Sequence, residues 1–107
     1  MFLEETILII HRKEVKSMVV KNLNHTTDRN PPNGCSSWKD FYIKRGRVWP
    51  NSCGCLSCNN QAAVGAHVKK VDSYDNRWHI IPLCYFHNNQ FGETLDVVGN
   101  WLEPINK

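Results

Sequence analysis

Nowhere does this chain carry an apolar run approaching the roughly twenty residues that a bilayer-spanning helix needs. Its one continuous aliphatic stretch near the start, residues 7–10, follows two acidic residues and precedes no small-residue cleavage site, so a secretory leader is not expected. Internal repeats and low-complexity tracts are also missing, which excludes solenoids and linker-type disorder. An even cysteine count is lacking too. Five cysteines, Cys35, Cys53, Cys55, Cys58 and Cys84, suit a closed disulfide framework poorly. Free thiols point to a reducing compartment, and a cytoplasmic location is the expectation. Charge of one sign is scarce as well. A net charge of +3 permits contact with nucleic acid without demanding it.

What is present fits one small domain. At 107 residues, with 41% hydrophobic and 21% charged residues, the chain is globular but holds only a modest core. Domains of this size often need a staple. Residues 1–17 read as a loosely attached N-terminal extension, and residues 18–107 as a single zinc-binding domain. Residues 24–35, rich in Asn, Pro and Gly, are a loop. Ser37 is positioned to cap a short helix that sets Trp38, Phe41 and Tyr42 to one side. Residues 62–68 and 78–81 read as two strands of a hairpin with a polar loop between them. Pro82 pre-sets a short helix starting near Leu83 or Cys84 and ending by Gly92. Residues 95–98 and 101–102 flank Gly99-Asn100 and are expected to form a closing β-hairpin.

The cysteines decide the chemistry. Three fall within six residues, and His87 follows Cys84 by three. Zinc favours four tetrahedral ligands drawn from thiolate and imidazole. Cys55-Leu-Ser-Cys58 has the two-residue gap of a zinc knuckle, whose turn amides face the sulfurs. Cys84 and His87, at i and i+3, share a helix face. The expected ligands are therefore Cys55, Cys58, Cys84 and His87, although either Cys53 or Cys55 could pair with Cys58. The fold class implied is α+β: a small zinc-stabilised treble clef with a knuckle, a β-hairpin, a short helix and a C-terminal β-hairpin. The competing reading is a set of buried free thiols. Cys35, far upstream, reads as an unpaired thiol.

The order of these elements resembles the HNH endonucleases, the ββα-metal group. The matching residues are the knuckle, then Gly65-Ala66-His67-Val68, then His79-Ile-Ile-Pro-Leu-Cys84-x-x-His87-Asn88, about a third of the chain. The resemblance implies that His67 corresponds to the family's general base, which activates water against a phosphodiester. His79 corresponds to the middle residue that orients that base, and Asn88 to the residue that binds the catalytic cation. Ala66 stands where the family has an aspartate. A hard divalent ion wants oxygen ligands, usually with a carboxylate among them, and a metal-assisted hydrolase must hold that ion. The resemblance thus implies an HNH-like domain with a degraded catalytic metal site. The alternative is a metal-dependent endonuclease using His67 as base, with a second divalent cation. Asp72 and Asp75 are the carboxylates of the hairpin loop.

Two basic groups complete the reading. Lys69, Lys70 and Arg77 flank the hairpin loop, and Lys44, Arg45 and Arg47 lie on another; either group could meet phosphates of DNA or RNA. Trp78 and Tyr74 lie near enough in sequence to stack on a base, while Trp78 as a core residue is the plainer alternative. The functional expectation is a module that binds nucleic acid or a protein through these loops, without strong catalytic activity.

Overall fold

The computed structural model describes residues 16–23 and 30–106. The expected extension over residues 1–17 lies outside these except for its last two positions. Lys16 already accepts a hydrogen bond from Gly99 N, and Ser17 opens the first strand.

In chain order the elements are β1 (Ser17–Asn22), α1 (Trp38–Lys44), β2 (Val64–Lys70), β3 (Trp78–Leu83), α2 (Tyr85–Asn88), β4 (Thr94–Val98), a 3-10 turn (Gly99–Trp101) and β5 (Glu103–Pro104). The strands make one sheet in the order β4-β1-β2-β3-β5, with every pairing antiparallel. The fold is thus α+β, with few helices. Among the described residues no helix is long and apolar enough to cross a membrane.

Burial follows position in the sheet. The outer strand β4 alternates exposed Thr94 and Asp96 with buried Leu95 and Val97, as a strand covered on one face must. The inner strand β3 is buried at five successive positions, His79 to Leu83, because both of its faces are covered. On one face Phe41 and Tyr42 of α1 pack on Ile80, with Trp38 and Trp49 at the margin. On the other face Val20, Ala66, Val68, Ile81, Leu83, Leu95 and Val97 form a cluster with Cys53, Cys55 and Cys84. The expected Ser37 cap is present: its hydroxyl accepts from Asp40 N at 2.9 Å. Two close approaches require glycine. A Cβ at Gly65 would lie 2.9 Å from the Trp38 carbonyl carbon, where α1 meets β2, and one at Gly54 would lie 2.8 Å from Pro82 O.

Pro82 sits inside a central strand without cost to the ladder. Leu83 O accepts from Ala63 N on the β2 side, so Pro82 faces the other way, beyond the end of β5, and its carbonyl accepts from Gly54 N at 2.8 Å. The missing proline N–H therefore removes no strand bond.

The C-terminal β-hairpin expected around Gly99-Asn100 does not form. β4 pairs with β1 and β5 pairs with β3, at opposite edges of the sheet. A two-residue hairpin needs positive φ in its turn, and neither Gly99 nor Asn100 adopts it. Instead, Leu102 N bonds Gly99 O in a 3-10 turn that carries the chain across to β3. The chain is held there by Glu103, which is buried and paired with Arg45 at 3.1 Å and Arg47 at 2.9 Å. The same guanidinium groups donate to the carbonyls of Asn100, Leu102, Pro104 and Ile105. Arg45 and Arg47, which the sequence left able to contact phosphates, thus anchor the C-terminal segment.

Candidate metal centre

Residues 52–61 form a narrow ribbon. Ser52 and Gln61 bridge, Cys53 N donates to Asn60 O at 2.8 Å, and Cys58 N returns to Cys55 O at 3.2 Å. Ser57 takes a positive φ of 64°, which turns Cys58 back toward Cys53. The ribbon also bonds the sheet at two places: Val98 N reaches Gly54 O and Leu56 N reaches Asp96 O on β4, while Gly54 N reaches Pro82 O on β3. Cys53 is thereby fixed against the end of β3, and the chain leaving β3 supplies the other pair of ligands. Cys84 is the N-cap of α2, with its sulfur accepting from His87 N at 3.4 Å.

Four ligand atoms converge: the sulfurs of Cys53, Cys58 and Cys84 and a ring nitrogen of His87 all lie within 4.8 Å of one another. Cys58 and Cys84 sulfurs are 3.9 Å apart, and His87 Nδ1 is 3.6 Å from Cys53 Sγ and 3.4 Å from Cys84 Sγ. Bond lengths of about 2.3 Å to sulfur and about 2.0–2.1 Å to nitrogen give tetrahedral edges of about 3.8 Å and 3.6 Å. These three edges lie close to the zinc values, and all six stay within 4.8 Å, consistent with a zinc site. None of the five cysteines forms a disulfide. His87 presents Nδ1 to the sulfurs, so Nδ1 is the atom that would ligate.

One ligand differs from the sequence expectation. Cys53, and not Cys55, joins Cys58, Cys84 and His87. Cys55 pairs through its backbone with Val97 and is buried in the apolar cluster. It still serves the site. Its backbone N–H donates to Cys53 Sγ at 3.5 Å, and its thiol donates to the same sulfur. These bonds, the thiol's first, bring the Cys53 thiol down to about 4 against the opposing effect of burial. Conversely, donating to Cys53 and being buried push the Cys55 thiol up, so Cys55 keeps its proton. Asn60 Nδ2, at 3.8 Å, adds a donor to Cys84 Sγ. The sulfurs' charge is thus offset by N–H and S–H donors of the turns.

Comparisons with family models, with curated proteins and with solved structures find no match.

A residue the sequence gave no reason to select supports the metal ligands from behind. Asn22, buried at the end of β1, donates from Nδ2 to the carbonyls of His87 and Asn88, both at 3.0 Å. It ties the last turn of α2 to the sheet. A polar residue two places after Val20, on the alternation that β1 buries, was the only trace in the sequence.

The three residues matched to HNH catalysis are not brought together on one face. In the β2–β3 ladder His67 is opposite Ile80, while His79 is opposite Val68. Adjacent strand positions point to opposite faces, so His67 and His79 stand on different sides of the sheet. The His67 ring lies edge-on to Trp38 at 4.5 Å and to Trp78 at 6.2 Å. His79 is buried, with Nδ1 donating to Arg77 O at 2.9 Å and Nε2 facing Asp75 at 3.6 Å. Burial, first among its influences, pulls its pKa below 6.5. Asn88 closes α2 and receives Asn22 on its carbonyl. Asp75 is also bonded to Lys70 at 3.1 Å and, through a forked pair at 2.9 Å each, to Arg77. Of the three basic residues around the hairpin loop, two therefore share an acidic partner.

Proposed function

We propose that this chain is an HNH-like, treble-clef domain with a structural zinc ion, and that it binds nucleic acid without cleaving it. The observation that carries the reading is the closed set of three sulfurs and one imidazole nitrogen around a single point. Four protein ligands leave no position for an activated water, which is the pattern of structural zinc. The ribbon supplies Cys53 and Cys58 and the start of α2 supplies Cys84 and His87, with the β2–β3 hairpin lying between the two pairs in the chain, an order that supports a treble-clef reading. The placement of His67 between two indoles, across the sheet from His79, favours binding over hydrolysis. A net charge of +3 and the cationic rim of Lys69 and Arg77 favour a polyanionic partner.

The test has two parts. Metal analysis of the purified protein should give one zinc per chain, and labelled nucleic acid should be retarded at low salt and released as salt rises, with no nicking in magnesium or manganese. Absence of zinc would refute the metal centre. Unchanged mobility at low salt with protein in excess would refute the binding role, and nicking that disappears in His67→Ala would restore the endonuclease reading.

A further inference from the structure

A recess lies on the far side of the hairpin from the zinc ligands, between the end of the β2–β3 loop and the C-terminal segment. It has a volume of about 350 Å³ and is lined by Asn76, Arg77, Trp78, Ile105 and Asn106. We propose that this recess takes one unpaired nucleobase of a single-stranded nucleic acid, stacked on Trp78, with the adjoining phosphate held by Arg77 and Lys69. The proposal rests on the nucleic-acid-binding reading above and gives it a site and a strand preference.

Four features support it. First, the recess is built on fixed backbone: Ile105 N donates to Trp78 O at 2.9 Å, joining the C-terminal wall to the first residue of β3. Second, the Trp78 ring is only half-buried, so it retains exposed apolar surface within a polar lining. Stacking on such a ring is open to any base, because every base has an aromatic face. Third, the cations are pre-positioned. Asp75 holds Arg77 through Nε and Nη2 at 2.9 Å each, leaving Nη1 outside that fork, and the Arg77 side chain remains 48% exposed. Lys69 is the register partner of Trp78, so its side chain leaves the same face of the sheet. Lys69, Lys70 and Arg77 outnumber Asp72 and Asp75, which leaves the rim net positive. Fourth, Asn76 and Asn106 place amides at the walls, and an amide offers both a donor and an acceptor to a base edge.

Strand preference follows from shape. The recess lies at the small end of ligand pockets, which run from about 300 to 1,000 Å³. A duplex keeps its base faces stacked inside, so only a splayed base can reach the indole. The exposed Tyr74 in the same loop offers a neighbouring base a second ring.

The experiment measures binding of short single-stranded DNA, single-stranded RNA and duplex of matched length to the zinc-loaded full chain, by fluorescence anisotropy at low salt. Wild type, Trp78→Phe, Trp78→Ala and Arg77→Gln are compared, with zinc content and circular dichroism as checks on folding. The expected result is single strands bound tighter than duplex, a loss of about 5- to 150-fold in Trp78→Ala, near-complete retention in Trp78→Phe, and a salt slope reduced by about 1 in Arg77→Gln. The DNA and RNA arms show which sugar is preferred. If Trp78→Ala does not fold, the Arg77→Gln slope decides. Binding by wild type that is indifferent to folded Trp78→Ala, or to Arg77→Gln where that variant decides, overturns the recess and leaves the broader binding role standing. Equal or tighter binding of duplex also overturns it. No binding of any nucleic acid overturns both.

Discussion

Exchanging single cysteines distinguishes the two sulfurs that the sequence left in competition. Cys53 Sγ stands 3.6 Å from His87 Nδ1, on an edge of the ligand tetrahedron, whereas Cys55 only donates to Cys53. Structural zinc contributes about 10–16 kcal/mol of apparent binding energy in small domains. Divided evenly over four ligands, one ligand supplies about 2.5–4 kcal/mol. Cys53→Ser should therefore weaken zinc affinity by roughly 10²- to 10³-fold. Cys55→Ala removes one donor behind a ligand and should cost roughly 10- to 100-fold. Cys55→Ser keeps a hydroxyl donor there and should cost less than Cys55→Ala. Competition with a chromogenic chelator gives the affinities. Cobalt substitution gives an independent readout, because the sulfur-to-cobalt charge-transfer band scales with the number of bound thiolates. That band should fall by a third in Cys53→Ser and stay unchanged in Cys55→Ser. Zinc retained by Cys53→Ser but lost by Cys55→Ser would refute the ligand assignment and return the knuckle to its two-residue gap.

Two further outcomes follow from other parts of the structure. Asn22→Ala removes both hydrogen bonds to the end of α2; it should lower zinc affinity by about 10- to 100-fold and destabilise the zinc-loaded protein by about 1–3 kcal/mol, as read from chelator competition and urea unfolding, and an unaltered affinity would dismiss its positioning role. For His79, burial holds the folded-state pKa below 6.5, so as pH falls through 6.5 the unfolded chain takes up a proton that the folded chain refuses. Its contribution to stability is present above that pH and lost as pH drops toward the lowered folded value. His79→Gln should flatten this part of the stability-pH profile measured by urea unfolding, and parallel wild-type and variant profiles would contradict the assignment.

Much of the molecule could be read from residue order because it depends on short-range rules. Ser37 capping α1 and the β2–β3 hairpin follow from caps and alternation over a few residues; a short helix does follow Pro82, but Pro82 lies inside β3 and the helix begins at Tyr85 with Cys84 as its cap. Cys58, Cys84 and His87 stood out because spacing along a turn or a helix face fixes which side chains can meet. Between Cys53 and Cys55 the spacing favoured Cys55, whereas the structure uses Cys53, because that choice depends on where the ribbon touches β3. Gly54 fits against Ile81 and Pro82 only when the ribbon lies in that register, and this contact joins residues nearly thirty positions apart.

The same distinction separates the remaining features. Residue order by itself indicated that the thiols suit a metal better than disulfides and marked α1, the two strands of the β2–β3 hairpin and the loop between them. Tertiary structure alone decided that β4 and β5 lie at opposite edges, that Arg45 and Arg47 enclose Glu103, that Asn22 holds α2, and that His67 and His79 face opposite sides of one sheet. The physical reason is that a side chain's type is local, while its partner and its face are set by strand register and long-range burial. A shift of one residue in β2 against β3 would carry His67 to the face that His79 occupies without changing a letter of the sequence.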